Sequence, residues 1–338
     1  MNLITGASGF LGSRVVERLL AAGERHVRCF VRPGGRVDHI ERLRAVYTNA
    51  NVEIVTGNLT RPNDAAAAVK RVRTIYHLAA AMSGSPADMV LNTVVASKNV
   101  VEAVSHRKSV RIVLVSSFGV YDTARLPAGS RIDESTPLER HPERRDPYSY
   151  SKWRQEKVFA DARMSAPFEL ITLRPGVVYG PGGVAMSSRV GINLFGLFCL
   201  FGRTNLLPLS YVDNCADAVV LAGRSAADGS VFNVNDDDLP TAWEYLRQYR
   251  KYVQRVPYVY VPYQVTMLLS HLVERYHAYS RGQLPAVFTP YKTASLWKST
   301  RFDNARLKAL GWTQGVGTRV GMERALTWHG RARRSGER

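Results

Sequence analysis

The chain has 338 residues, 45 % hydrophobic and 22 % charged, ordinary proportions for a soluble globular protein of one large domain or two intimate ones. Its three cysteines, Cys29, Cys199 and Cys215, lie far apart with no CxxC pair, which argues against a disulfide framework or zinc site and fits a reducing compartment. Of the net charge of +18, 12 falls between Trp243 and Arg338, where seventeen Lys/Arg face five Asp/Glu; no RNP motif, zinc finger or basic zipper goes with it, so anionic small molecules or an anionic membrane surface are expected partners and nucleic acid is not.

In chain order, "NLIT" (2–5) is read as a first strand, entered so early that no signal peptide is expected and a cytoplasmic location is. "FLGSRVVERLLAAG" spaces its apolar residues as a helix and stops at Gly23. "HVRCFV", "NVEIVTG" and "RTIYHLAA" follow as strands, then a long helix from about Asp88 to Arg107, then "VRIVLVSS" as the fifth strand. A helix starting near Tyr148 leads into "FELITLRP", the sixth. Strands alternating with helices predict an α/β fold with a parallel, doubly wound sheet.

After Pro175 the texture changes to Gly/Pro-rich loops and mixed helices. "SYVDNCADAVVLAG" reads as a capped helix and "SVFNV" as a short strand. The predicted organisation is a dinucleotide-binding domain over 1–174, rejoined by 206–233, and a smaller, mostly helical substrate-binding cap from 175–205 and 234–330. A basic tail over 331–338 completes it, and "HGRARRSGER" is read as frayed and solvated. The apolar runs "VGINLFGLFCLFG" (190–202) and "YVPYQVTMLLSHLV" (260–273) fall short of the about 20 residues that span a bilayer. Both are read as core of the cap.

"TGASGFLG" follows the first strand and opens a helix, placing Gly6, Gly9 and Gly12 in the pattern G-x-x-G-x-x-G with Ser8, Phe10 and Leu11 between them. Such a turn lets the backbone approach a pyrophosphate whose charge the helix N-terminus stabilises. The second strand ends Val31, Arg32, Pro33, with no acid before Asp38. An acid there would bind ribose hydroxyls, whereas an arginine accommodates a 2′-phosphate. NADP(H) is therefore expected, with Arg32 as phosphate ligand and NAD(H) as the alternative.

Tyr148 and Lys152 are four apart on a predicted helix and share a face, while Tyr150 does not. Free tyrosine, with a pKa of about 10, is a poor base, and a nearby ammonium brings it toward the working range. Ser116 and Ser117 end the fifth strand, where ligands sit in such sheets. Either could polarise a substrate oxygen.

Together these motifs resemble the extended short-chain dehydrogenase/reductases, which include the NAD(P)-dependent epimerase/dehydratase and 3β-hydroxysteroid dehydrogenase families. The resemblance runs through "TGASGFLG", "GNL", "YHLAA", "VSSFGVY", "YSYSK", "LRPGVVYGPG", "YVDNCADA" and "FDNARLKALGW". It implies a Rossmann sheet, with Tyr148 as acid/base, Lys152 as its partner and ribose ligand, and Ser117, four residues before Tyr121, as the polarising hydroxyl. It further implies that Ala79, Ala80 and Ala81 form a wall against the cofactor, that Asn58 lies beside the adenine, and that Leu59, Pro175 and Val178 also bind the cofactor. Asn58 stands where the family usually has Asp. Met82, Ser83, Phe118, Val177 and Met186 are the candidate substrate residues, and a homodimer through paired helices is common among such proteins.

Other conspicuous residues have plainer readings. His77 ends a strand and reads as a satisfied core histidine. Asp236, Asp237 and Asp238 read as a solvated turn, with no metal expected, and Tyr179 as shaping the loop above the nicotinamide. Phe118 and Gly119 stand where related sugar dehydratases carry an Asp-Glu pair, so net dehydration is not expected. Val177 and Asp122 replace the Asn and Gly frequent in nucleotide-sugar enzymes, and "LPAVFTPYKTASLWK" looks more like the hydroxysteroid side. Three readings stay open: an oxidoreductase or epimerase of a nucleotide- or lipid-linked sugar, a reductase or dehydrogenase of a hydrophobic ketone or alcohol, and a non-catalytic NADP sensor.

Overall fold

Short apolar, β-branched runs become strands of one parallel sheet when helices cover both its faces. The computed structural model describes residues 1–107, 109–280 and 289–336. β1 (Asn2–Thr5), α1 (Phe10–Ala21), β2 (His26–Val31), α2 (Asp38–Val46), β3 (Asn51–Thr56), α3 (Pro62–Val69) and β4 (Thr74–His77) alternate in sequence. The long helix expected next is α4 (Pro86–Met89), a π-helical turn over Val90–Val95, and α5 (Ala96–Val104). β5 (Arg111–Val115), β6 (Ser130–Ile132), α6 (Pro147–Arg163) and β7 (Glu169–Pro175) follow.

Beyond β7 come β8 (Val177–Tyr179), β9 (Gly191–Leu194), β10 (Leu197–Phe201), β11 (Leu209–Tyr211), α7 (Val212–Ser225) and β12 (Val231–Val234). Then come α8 (Ala242–Tyr252), β13 (Tyr258–Val261), α9 (Tyr263–Tyr279), α10 (Pro290–Trp297), β14 (Thr300–Phe302), α11 (Ala305–Ala309) and α12 (Thr318–Ser335). Seven strands form the central sheet in the order β12-β7-β5-β4-β1-β2-β3, all pairs parallel. Strand order reverses between β1 and β4, so the crevice at their carboxyl ends is where a ligand fits. One face packs Val15, Val16 and Leu19 of α1 against Val219 and Ala222 of α7. The other packs Ala65 and Ala68 of α3, Val100 and Val104 of α5, and Phe159 of α6.

The cap departs from expectation in three places. The run 190–202 folds as the hairpin β9–β10, turned at Phe195 (φ 51°) and Gly196 (φ 88°). With β13 it makes a three-stranded sheet inside a cap expected to be mostly helical. The tail read as frayed is helical through Ser335, because α12 packs on α8, where Gly330 lies so close to the Tyr252 carbonyl that a Cβ would collide with it.

The run 260–273 is not core. α9 buries Thr266 and Ser270 and turns Val265, Leu268, Leu269, Leu272 and Tyr276 outward. Ser270 is bonded to Thr293 of α10 at 2.5 Å. The helix thus satisfies hydroxyls inward and leaves its apolar stripe exposed, the reverse of the usual arrangement. Among the described residues no helix is long and apolar enough to cross a membrane. Residues 284–288, the start of the "LPAVFTPYKTASLWK" resemblance, lie outside the described residues.

Asp236 also corrects the solvated-turn reading. It is fully buried, accepting hydrogen bonds from Tyr211 N at 3.1 Å, Asn214 Nδ2 at 2.9 Å and Tyr179 Oη at 3.0 Å. Burial pushes its carboxyl up to about 6. Asp237 and Asp238 are exposed, as expected for a turn. Tyr179 is thereby an internal tie, bonded also to the Thr318 carbonyl at 3.2 Å, and does not line the cavity described below.

Candidate active site

A cavity of about 1060 Å³ runs along the carboxyl edge of the sheet at the switch point. The turn after β1 forms its floor. Gly6 adopts φ 70°, open to glycine at little cost, and a Cβ at Gly12 would run into the Gly6 carbonyl. A Cβ at Gly6 would come within 3.2 Å of the Ala79 backbone. The glycines therefore bring β1, α1 and the end of β4 into contact and leave the α1 N-terminus open to the cavity.

Gly6, Ser8, Gly9, Phe10, Leu11, Gly12, Arg32, Asn58, Leu59, Ala79, Ala80, Pro175 and Val178 all line this space. Ala81 does not. Its N–H is bonded to Thr93 Oγ1 at 3.0 Å, behind the wall. Asn58 Oδ1 accepts from Thr60 N at 3.0 Å, and Asp64 accepts from Asn58 N at 2.7 Å. Arg32 is exposed at the rim, and Arg36, which no motif singles out, also lines the cavity.

Ser117, Tyr148 and Lys152 line the middle of the cavity. Asp146 caps α6 by accepting from Ser149 N at 2.9 Å and Ser149 Oγ at 2.7 Å, which sets Tyr148 in the first turn with Lys152 one turn on. Ser117 lies close enough to the Tyr148 phenol to act on its titration, and Ser117 Oγ accepts from Gly119 N at 3.1 Å. Burial pushes the phenol up to about 12, with Asp146 adding to the rise and the nearby Ser117 hydroxyl opposing it.

Lys152 is buried, its ammonium donating to the Val115 carbonyl at 2.6 Å and to Gln155 Oε1 at 2.5 Å. Desolvation pulls it down to about 7, against the pull of Glu156. Ser116 differs from Ser117. Its buried hydroxyl lines the cavity with no hydrogen-bond partner among the described residues.

The cradle therefore fits a dinucleotide on structural grounds: a glycine turn closed to side chains, an open helix N-terminus, an orphaned Ser116 hydroxyl and a rim guanidinium. At the far end Met82, Phe118, Val177, Val184, Met186 and Leu296 give an apolar lining, while Ser83 is exposed outside it. Arg145 and Arg189 also reach this end. Arg145 is spent on Glu139 and the Tyr121 carbonyl, each at 3.1 Å.

His77 behaves as a satisfied core histidine. Its Nδ1 is 3.0 Å from Thr5 Oγ1 and its Nε2 is 2.9 Å from Ser97 Oγ, and desolvation pulls it down to about 3.

Comparison with known proteins finds dehydrogenases, reductases and epimerases similar to this chain. The sterol-4-alpha-carboxylate 3-dehydrogenase, decarboxylating, of Candida albicans is 26 % identical over 96 % of each chain. The 2-alkyl-3-oxoalkanoate reductase of Shewanella oneidensis is 27 % identical over 95 % of this chain and 84 % of its own. The UDP-glucose 4-epimerase of Mycolicibacterium smegmatis is 29 % identical over 69 % of this chain and 76 % of its own. The fold matches that of MoeE5 in complex with UDP-glucose and NAD with a TM-score of 0.69, at 22 % identity and 99 % of both chains. Residues 2–235 match the NAD dependent epimerase/dehydratase family, and the chain belongs to that family, an enzyme of the NAD(P)-dependent extended short-chain dehydrogenase type.

Proposed function

We propose that the protein moves hydride at an alcohol or ketone carbon of a hydrophobic substrate, with Tyr148, Lys152 and Ser117 as the working groups. The apolar lining of the cavity carries this reading: Met82, Phe118, Val177, Val184, Met186 and Leu296 share it with Tyr148. The two relatives matched over nearly the whole chain act, by their names, on a sterol carboxylate and a 2-alkyl-3-oxoalkanoate. The bound dinucleotide would supply the hydride acceptor or donor, held at the glycine turn. Ser117 orients the substrate oxygen, Tyr148 gives or takes its proton, and Lys152 favours the phenolate by charge.

Arg32 at the rim supports NADP(H) over NAD(H). The outward stripe of α9, in a strongly basic part of the chain, supports contact with an anionic lipid surface. A second reading, an epimerase of a nucleotide-linked sugar, is favoured by the likeness to the UDP-glucose 4-epimerase.

Absorbance at 340 nm separates the two, since a reductase consumes NADPH stoichiometrically and an epimerase leaves it unchanged. With a 2-alkyl-3-oxoalkanoate as substrate, Tyr148→Phe is expected to lower kcat by about 100-fold or more. Full activity in that variant sinks the acid/base role, and UDP-sugar interconversion without NADPH consumption moves the protein to the second reading.

A further inference from the structure

One cation at the far end of the cavity has no use in the fold. Arg189 lies in the loop between β8 and β9, half-buried, and lines the cavity that holds Tyr148. Among the described residues its guanidinium makes no hydrogen bond or ion pair, and only its backbone N–H is engaged, donating to Ser187 Oγ at 3.2 Å. The other cations lining the cavity lie at the cofactor rim or are committed: Arg32 and Arg36 at the rim, Lys152 to Val115 and Gln155, Arg145 to Glu139. The charges that face Arg189 are Arg145 and Asp146, immediately before α6. Asp146 is already spent on capping through Ser149.

Leaving a guanidinium in a partly desolvated place without a partner is costly. The cost shows as a fall in its pKa to about 10, from desolvation first and the repulsion of Arg145 second. An anion from the substrate removes both penalties at once.

We infer that Arg189 is the anchor for a carboxylate on the substrate, so that the enzyme takes a hydrophobic carboxylic acid whose reacting carbon lies near the acid group. This rests on the hydride reading above and names its substrate class. A carboxylate fits better than a phosphate or diphosphate because a single guanidinium balances a single charge, and among the described residues no second uncommitted cation at this end is available to balance a further one. The thioether and aliphatic walls around it suit an alkyl body. Arg189 is a binding and positioning residue here; proton and hydride transfer stay with Tyr148 and the cofactor.

The test uses the full-length protein saturated with NADPH and three probes: octanoate, methyl octanoate and octyl phosphate, each titrated by calorimetry. The expected result is that octanoate binds more tightly than either other probe. Arg189→Gln should weaken octanoate by about tenfold to hundredfold, as for loss of a charge-assisted pair, and leave methyl octanoate unchanged. NADPH fluorescence reports that the variant still folds its cofactor site. Arg189→Lys, which keeps the charge and loses the fork, should recover part of the affinity and carries the test if Arg189→Gln fails to bind NADPH.

Octanoate affinity that ignores both substitutions overturns the inference, as do absence of octanoate binding to the wild type and preference for octyl phosphate. Octanoate binding that depends on Arg189, together with no turnover of any 3-oxo acid, sinks the hydride reading and leaves the anchor standing.

Discussion

Lys152 donates its buried ammonium to Gln155 Oε1 at 2.5 Å, one turn along the same helix. The amide passes the interaction on, because Gln155 Nε2 donates to Ser97 Oγ at 2.8 Å and toward the Ala79 carbonyl at 3.4 Å. Gln155 therefore holds the lysine charge in a nearly dry site and ties it to the wall behind the cofactor cradle. Replacing it with leucine removes an acceptor from a lysine already pulled down to about 7, so the neutral amine is favoured further.

Gln155→Leu is expected to lower kcat by about 10- to 100-fold and to move the alkaline limb of the pH–rate profile downward. Gln155→Glu, which adds a negative charge beside the ammonium, should move that limb upward. Unshifted limbs in both variants would show that Gln155 only fills space.

The same network fixes the protonation of His77. Ser97 Oγ gives its one proton to the Thr93 carbonyl at 2.6 Å, so His77 Nε2 must donate to Ser97 and Nδ1 must accept from Thr5. The ring is neutral, with its pKa pulled from 6.5 to about 3 by desolvation and then Lys152. As pH falls below 6.5 the unfolded chain takes up a proton that the folded chain refuses, so stability present above 6.5 is lost progressively toward about 3.

Between pH 6.5 and 5 that loss is about 2 kcal/mol. His77→Phe loses the hydrogen bonds at every pH but not this increment, so its stability deficit against wild type should narrow by about that amount. Asp236 titrates in the opposite sense over part of the range, in both proteins, and cancels in the difference. Urea titrations at the two pH values check this, and a constant deficit would count against a neutral His77.

Much of the sheet was legible because a strand buried on both faces is written as an unbroken apolar run. "HVRCFV" and "VRIVLVSS" have no competing period, and the two serines of the second fall at its carboxyl end, where ligands bind. Tyr148 and Lys152 were legible from a spacing of four, whereas their capping residue Asp146 emerged only with the structure. Periodicity fails at α9, where it reveals a stripe but not the direction the stripe faces. It also fails at Asp236, since three consecutive acids look alike until the fold buries one. Arg189 leaves no trace in any pattern. A lone arginine in a loop becomes conspicuous only once its neighbours are known to be committed to other partners.

Arg32 offers a prediction about cofactor choice. It follows the last residue of β2 and lines the cavity at the rim, and its carbonyl accepts from Gly35 N at 2.9 Å in a tight turn. The nearest acid along the chain, Asp38, sits 3.8 Å from Arg36 and is exposed. With no carboxylate at the strand end, a 2′-phosphate meets positive charge. Arg32→Asp should weaken NADPH by about 10- to 100-fold and NADH by much less, read by quenching of protein fluorescence. Equal losses for the two cofactors would remove Arg32 from the phosphate site.

The outward stripe of α9 gives the last prediction. Leu268 is 61 % exposed, Leu272 55 % and Tyr276 54 %, and Phe195 at the tip of the β9–β10 hairpin is fully exposed. β13 joins hairpin and helix, since it pairs with β10 and runs through Pro262 into α9. An exposed apolar helix within a segment carrying seventeen basic against five acidic residues matches the requirements of an anionic bilayer surface: apolar area for the acyl boundary and positive charge for the headgroups. The full-length protein should co-sediment with vesicles containing phosphatidylglycerol, and less with pure phosphatidylcholine. Salt should weaken the binding, because screening removes the electrostatic share. Leu268→Glu combined with Leu272→Glu should reduce that binding by about tenfold or more while leaving NADPH binding intact, since neither leucine lines the cavity. Absence of vesicle binding, with a dimer on size-exclusion chromatography that the double variant splits, would assign the stripe to a second copy of the chain instead.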